Sequence, residues 1–289
     1  MSNSIAPTRR RYRPMECVSN ALFAAMHLAL LLVFFVPFSG RMLALAVAGY
    51  LLRMWAVTAG YHRYFAHRSY RTSRVFQLIL AVLGTTAMQN GPIWWASVHR
   101  RHHKHADTPD DPHSPETRGF WYAHIGWNFD RLRPRADERT NVADLVRYPE
   151  LRFVDSHEWL PILVYAFTCF AIGGLSGVVW GFVVSTLAVF HCTMLVNSLS
   201  HMWGSRRYDT ADQSRNNGIL ALLTLGEGWH NNHHHCMSSV RQGFFWWELD
   251  ATYYALRALA LLGIVWDLRE PSAAALAPGV SGRIATSGE

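Results

Sequence analysis

The chain has 289 residues, 50% of them hydrophobic and only 16% charged, well below the roughly 25% charged content of soluble domains. That excludes a disordered or fibrous chain, and the concentration of apolar residues in a few long runs points to one membrane-embedded unit rather than two soluble domains. Lys+Arg number 27 against 20 Asp+Glu, a formal charge of +7; the basic residues gather beside apolar runs, which fits the cytoplasmic flanks of membrane spans and not a nucleic-acid surface.

Residues 1–16 carry the run Arg9-Arg10-Arg11-Tyr12-Arg13 and read as a basic cytosolic N-terminus. The apolar run 17–38, interrupted only by Ser19, Asn20 and His27, is longer than the roughly 7–15-residue core of a signal peptide and is expected to be a retained span. After Ser39-Gly40-Arg41 a second span, 42–60, returns as a hairpin. The next apolar stretch, Phe76 to Val98, is broken by Thr85, Thr86, Gln89, Asn90, Gly91 and Pro92, which leaves too little to cross a bilayer and predicts a buried or interfacial helix. Residues 61–158 therefore belong to a cytosolic cap. A second hairpin of spans, 159–174 and 177–199, divides at Gly173-Gly174-Leu175-Ser176-Gly177. Residues 200–268 return to the cap, with Ala251 to Trp266 as a further interfacial helix, and 269–289 form a disordered tail. The expected fold is an all-α membrane protein of four transmembrane helices in two hairpins with a helical cytosolic cap, one domain over 17–268. The four cysteines show no paired spacing and read as small buried residues.

Sixteen histidines make a chance H-x-x-H-H pattern an event expected about 0.05 times, yet two occur: His99/His102/His103 and His230/His233/His234. Two further patterns are His62-Arg-Tyr-Phe-Ala-His67 and Asn197-Ser-Leu-Ser-His201. On a helix, i, i+3 and i+4 share a face, so each triplet is expected to aim three imidazoles at one point. His62 and His67 lie about 140° apart on an α-helix and converge only if it ends or unwinds between them. Counting spans from a cytoplasmic N-terminus puts all four patterns on one side of the membrane; a span at 76–98 would divide them. Nine imidazoles exceed the ligand demand of one zinc, so two ions are expected. Imidazole suits Zn, Cu, Fe and Ni alike, and the H-E-x-x-H protease signature is absent. A site at the mouth of an apolar bundle, within reach of a lipid chain, tips the choice to iron and oxidative chemistry.

These boxes, in this order, resemble the membrane fatty-acyl desaturases of the delta-9 type, which include the stearoyl-CoA desaturases. Gly91-Pro-Ile-Trp-Trp-Ala, Asp111-Pro-His, Arg118-Gly-Phe, His124-Ile-Gly-Trp127 and Gly226-Glu-Gly-Trp-His230 are similar to family sequence, and Arg241-Gln-Gly-Phe-Phe-Trp-Trp-Glu248 resembles bacterial members. The likeness runs from about residue 20 to 268. It implies a diiron centre in which His62, His67, His99, His102, His103, His201, His230, His233 and His234 are ligands and Asn197 acts through water, with Gln89 and Trp95 lining a bent acyl tunnel. It also implies O2 as co-substrate, a cis double bond at delta-9, and electrons from a separate carrier such as ferredoxin, rubredoxin or cytochrome b5. Ser97 and Val98 stand where animal acyl-CoA members carry charged residues, so an acyl-CoA, acyl-lipid or acyl-carrier substrate stays open. The expected location is the inner membrane of a bacterium, with the site cytoplasmic.

Around these boxes, Asp107 and Glu227 could orient ligand imidazoles or be solvated carboxylates, and His105, His113 and His124 are candidates for the same task. His235 reads as exposed or supporting; His27 and His191, inside spans, read as satisfying local hydrogen bonds. The rival readings are a hydroxylase or ketolase of the same diiron superfamily and a non-catalytic membrane metal binder or transporter, for which Arg53 and His191 are the only clear candidates along an ion path through the spans.

Overall fold

A computed structural model describes residues 14–130 and 139–277. The basic run Arg9–Arg13 and residues 278–289 of the expected tail lie outside the described residues. Helix α1 (Pro14–Ala29) tightens into a 3₁₀ turn at Leu30–Phe34. Helix α2 (Gly40–Trp55), capped by the Ser39 hydroxyl accepting from the Met42 amide, continues without a break into a π-helical stretch, Ala56–Ala66. Helix α3 (Arg74–Thr85), about 18 Å long at 1.5 Å per residue, is too short to cross a bilayer. A turn separates it from α4 (Pro92–His105), so the apolar stretch 76–98 is two short helices.

The chain continues through α5 (Pro115–Arg118), α6 (Phe120–His124), α7 (Ala143–Val146) and α8 (Pro149–Ser156). Helix α9 (Trp159–Gly177) runs on through a π-helical stretch, Val178–Val184, into α10 (Ser185–Ser198) and a 3₁₀ turn at Leu199–His201. The helix folds back on itself at Gly173 and Gly174. Gly174 sits at φ 58°, ψ −142°, a conformation that favours glycine, and beyond it the Tyr165 hydroxyl donates to the Gly181 carbonyl at 2.9 Å. The division expected at this glycine-rich stretch is therefore a real reversal. Helices α11 (Gly218–Leu223), α12 (His230–His235) and α13 (Ala251–Leu261) complete the set. The expected helix 251–266 stops at Leu261 because the chain turns at Gly263, φ 68°, and pairs β2 (Val265–Trp266) antiparallel to β1 (Arg71–Thr72).

Among the described residues, two helical stretches, Gly40–Ala66 and Trp159–His201, are long and apolar enough to cross a membrane. In the second, only 17% of the most apolar window is buried in the protein, unlike the core helix of a soluble domain. Leu43, Val47 and Leu51 form an exposed stripe at i, i+4 spacing on α2, and Leu163, Phe167 and Phe170 form one at i, i+4, i+7 on α9. The core lies where the π-helical end of α2 packs against α3 and α4. Of the expected tail, residues 269–277 pack on the folded chain: the Val240 amide donates to the Arg269 carbonyl at 2.6 Å, and Ala275 is buried.

Candidate metal centre

The nine boxed histidines come from four places. His62 and His67 stand at the end of α2, where π-helical winding pairs the His67 amide with the His62 carbonyl at 3.1 Å. An i, i+5 pairing brings residues five apart onto one face, which an α-helix would place about 140° apart. Widening of the helix, not its end, supplies the convergence, and the two rings lie 4.8 Å apart. Arg100 of α4 takes the carbonyls this end leaves free, donating to Phe65 at 2.7 Å and Ala66 at 2.9 Å, and binds Asp144 with both terminal nitrogens.

Helix α4 carries His99, His102 and His103. Its N-terminal amides are capped from outside the helix: the Asp155 carboxylate accepts from Ile93 and Trp94 at 2.9 and 3.0 Å. Any Cβ at Gly91 would meet Asp155 Oδ1 at 2.3 Å, so this close approach needs glycine. Helix α12 is six residues long and is held by its asparagines. Asn231 accepts from the Arg207 and Tyr208 amides at 2.8 Å, and the Asn216 side-chain oxygen accepts from the amides of Asn231 and Asn232 at 3.0 and 3.1 Å. The two residues between the histidines of this box thus fix the short helix. His201 ends the 3₁₀ turn after α10.

The nine fall into two groups: His62, His67, His99, His103 and His233, and His102, His201, His230 and His234. Within each group the ligand atoms all lie within 4.8 Å of one another. Each H-x-x-H-H triplet is therefore split, contrary to the expectation that its three rings share one point. Residues i and i+4 keep company (His99 with His103, His230 with His234), while i+3, turned about 100° from i+4, reaches the other group. The groups adjoin, with the His103 and His234 ring centroids 4.4 Å apart.

Nε2 atoms face inward. In the five-histidine group the Nε2–Nε2 separations are 3.0 Å for His62–His233, 2.8 Å for His67–His99, 2.9 Å for His99–His103 and 3.0 Å for His103–His233. A metal–nitrogen bond of about 2.0–2.1 Å would separate neighbouring donors by about 2.9 Å at right angles and about 3.4 Å at tetrahedral angles, so this group suits an ion with more than four ligands. In the other group His201 and His230 are 3.1 Å apart, and His234 Nε2 is buried with no partner.

Carboxylates hold the outer nitrogens. Asp111 meets His102 Nδ1 at 3.0 Å, Asp107 meets His201 Nδ1 at 2.8 Å, Asp212 meets His234 Nδ1 at 2.8 Å, and Glu227 pairs with His62 Nδ1. A carboxylate at Nδ1 fixes the proton there and leaves the Nε2 lone pair for a metal. Each carboxylate is itself fixed. Arg63 donates to Glu227 at 3.0 Å, the Gln213 amide to Asp107 at 2.8 Å, the Ser214 amide to Asp212 at 2.9 Å, and the Asp107 amide to Asp111 at 2.9 Å. Burial alone would raise these carboxyls, but contact with His102 outweighs it and leaves Asp111 well below the usual carboxylate range; Asp212 is lowered in the same way by His234, and Glu227 by His62 and Arg63. Burial and the neighbouring imidazoles hold His99, His103, His230 and His233 well below their ordinary value, and His234 is pushed down to about 4 by burial against the opposing pull of Asp212. At His102 burial is outweighed by Asp111, and the value rises.

A cavity of about 850 Å³, counting its open mouth, runs beside both groups and includes His62, His99, His102, His230, Gln89, Trp95 and Asn197 in its wall. Trp95 stacks on His99 at 4.8 Å and donates to Gln89 at 3.3 Å, and Gln89 donates to Thr193 at 2.7 Å.

Asp107 and Glu227 thus orient imidazoles, and so do Asp111, which lies in the Asp111-Pro-His motif, and Asp212, which no spacing marks. His113 stacks on His102 at 4.5 Å. His124 instead joins His191 and His27 in a line of imidazoles at 3.1 Å steps that ends on the Phe23 carbonyl, apart from both groups. His235 turns away, stacked on Tyr208 at 3.9 Å and bonded to the Ala275 carbonyl. His105 belongs to neither group.

The fatty acid desaturase family model matches residues 40–266. The chain is 38% identical over 265 residues to Delta-9 acyl-lipid desaturase 1 of Arabidopsis thaliana, covering 91% of this chain and 86% of that one. It is 37% identical over 257 residues to sn-1 stearoyl-lipid 9-desaturase of Anabaena variabilis (87% and 93%) and 40% identical over 221 residues to Acyl-CoA C20 Delta5-desaturase of Anemone leveillei (76% and 70%). With apolar helices that suit a membrane and histidine groups that fit a metal site, this oxidoreductase of lipid metabolism belongs to the fatty acid desaturase family.

Proposed function

We propose that the chain inserts a cis double bond at delta-9 of a saturated acyl chain, with O2 as co-substrate, two iron ions held by the nine histidines, and electrons from a separate carrier such as ferredoxin, rubredoxin or cytochrome b5. The observation that carries this reading is the cavity whose wall draws on both histidine groups. Bound iron would activate O2, which is the oxidant: removing two hydrogens from adjacent CH2 groups yields two electrons, the carrier yields two more, and these four with four protons reduce O2 to two waters.

The chain's own residues do the placing. Unactivated CH2 groups differ little in reactivity, so the position of the double bond is set by how the acyl chain is held. The Gln89–Thr193 hydrogen bond ties the turn before α4 to α10, and Trp95, braced on His99, sets the wall between chain and imidazoles. Asn197, in the same wall, is assigned a ligand role through water. The names of the relatives support an acyl-lipid or acyl-CoA substrate. We read α1 with its 3₁₀ turn, α2, α9 and the helix through α10 as four spans in a bacterial inner membrane with cap and site cytoplasmic; the exposed apolar stripes on α2 and α9 support the membrane setting of those two.

The test is fatty-acid analysis of a host expressing the chain, with double bonds located by derivatisation, beside a His99→Ala control. New cis-monounsaturated chains absent from the control are expected. Hydroxylated chains would replace this reading with an oxygenase, and an unchanged profile from iron-loaded protein with reductant would overturn a bulk acyl substrate.

A further inference from the structure

His233 and His62 sit side by side in the five-histidine group, yet only His62 has a carboxylate at Nδ1. Behind His233 stands Gln242, 1% exposed, its side-chain amide 3.5 Å from His233 Nδ1 and 3.3 Å from His62 Nδ1. The residue is pinned on both sides of its backbone. Its amide donates to Asp250 at 2.8 Å, its carbonyl accepts from Asn232 of α12 at 2.9 Å, and Asp250 in turn binds Arg63 at 3.0 Å. Only the terminal amide is left to turn.

The orientation of that amide carries chemical information. Its nitrogen faces the two imidazoles, while its oxygen is buried without a partner. This suits a His233 whose Nδ1 is bare and whose proton sits on Nε2, shared with His62 or His103. Once Nε2 gives its lone pair to a metal, the proton must lie on Nδ1. An amide NH2 would then confront N–H donors, and a half-turn that presents the oxygen instead makes an acceptor of it.

We propose that Gln242 is a positioning residue of the metal centre: its side-chain oxygen accepts the Nδ1–H of His233 and aims that imidazole at the ion of the five-histidine group. This rests on the diiron reading above. The neutral amide does for His233 what carboxylates do for His62, His102, His201 and His234, and it does so without adding a negative charge beside that ion.

The test uses full-length protein in lipid nanodiscs, with iron per chain, thermal unfolding and a potentiometric titration of the iron absorption as readouts. Gln242→Leu removes the acceptor, and iron affinity of one of two ions should fall roughly 10- to 100-fold, the usual effect of losing a group that orients a ligand. Gln242→Glu keeps an acceptor and adds charge: it should retain both irons and shift the potential of one of them negative, a change that loss of packing alone would not produce. If Gln242→Leu does not fold, the potential of Gln242→Glu decides by itself. Two irons in both variants with unchanged potentials would overturn the inference while leaving the diiron reading intact. A wild-type protein that binds no iron would overturn that reading and the inference with it.

Discussion

The five- and four-histidine groups are built from the same side chain by different means. In the four-histidine group every imidazole is buried, and three of the four are backed by aspartates. In the five-histidine group three members are only partly buried and a single carboxylate, Glu227, stands behind one of them. A carboxylate at Nδ1 makes an imidazole a stronger donor and adds negative charge near the ion. The contrast teaches that ligand count and ligand strength trade places: one group gathers more neutral donors, the other fewer donors made stronger.

Substitutions at the ligands should break the comparison outright. His99→Ala and His102→Ala are each expected to lower desaturation to background, and each to cost one iron per chain, from different groups; metal analysis beside product analysis checks this, and loss of both irons from either variant would show the groups are not separable. Withdrawing a supporting charge should act less strongly and unevenly. Asp212→Asn is expected to weaken iron retention roughly 10- to 100-fold while leaving the five-histidine group loaded, which iron titration with spectroscopy of the remaining ion resolves.

Acidification should then separate the metal-free chain from the loaded one. Because His99, His103, His230, His233 and His234 are held below the unfolded value of about 6.5, the unfolded chain binds more protons below that pH. Stability is therefore intact above about 6.5 and lost as pH falls toward about 4, where His234 titrates. The lowered aspartates add their own loss from roughly pH 4 downward. Thermal melts across pH 4–8 should show this fall in metal-free protein, and bound metal should offset it. The smallest effect is expected at the third consecutive histidine of the last box: His235→Ala should leave activity and iron content within about twofold, since its ring lies on Tyr208 and away from both groups.

Much of this was legible from residue spacing. The interrupted stretch 76–98 and the glycine-rich turn at 173–177 are local chemistry, and the structure has a break at one and a reversal at the other. The pairing of His62 with His67 required a departure from α-helical winding, and spacing alone could not say that the departure would be a π-helix rather than an end. The partners Asp111 and Gln242 lie within recognisable motifs, yet their tasks were not readable, because an aspartate in a polar loop and a glutamine in an aromatic run have many ordinary uses.

What the sequence determined by itself is which histidines gather: nine of them, at spacings that helical periodicity turns into convergent faces. What only the tertiary structure decided is how they divide. A helix fixes the angle between its own side chains, so i and i+4 stay together and i+3 points elsewhere, but which group each ring joins depends on the helix that arrives to meet it. His233 meets His62 from 171 residues away, and His234 meets Asp212 from 22. The first brings α12 to the π-helical end of α2, and the second brings α12 to the loop between His201 and α11 that carries Asp212, so neither pair lies on one helix.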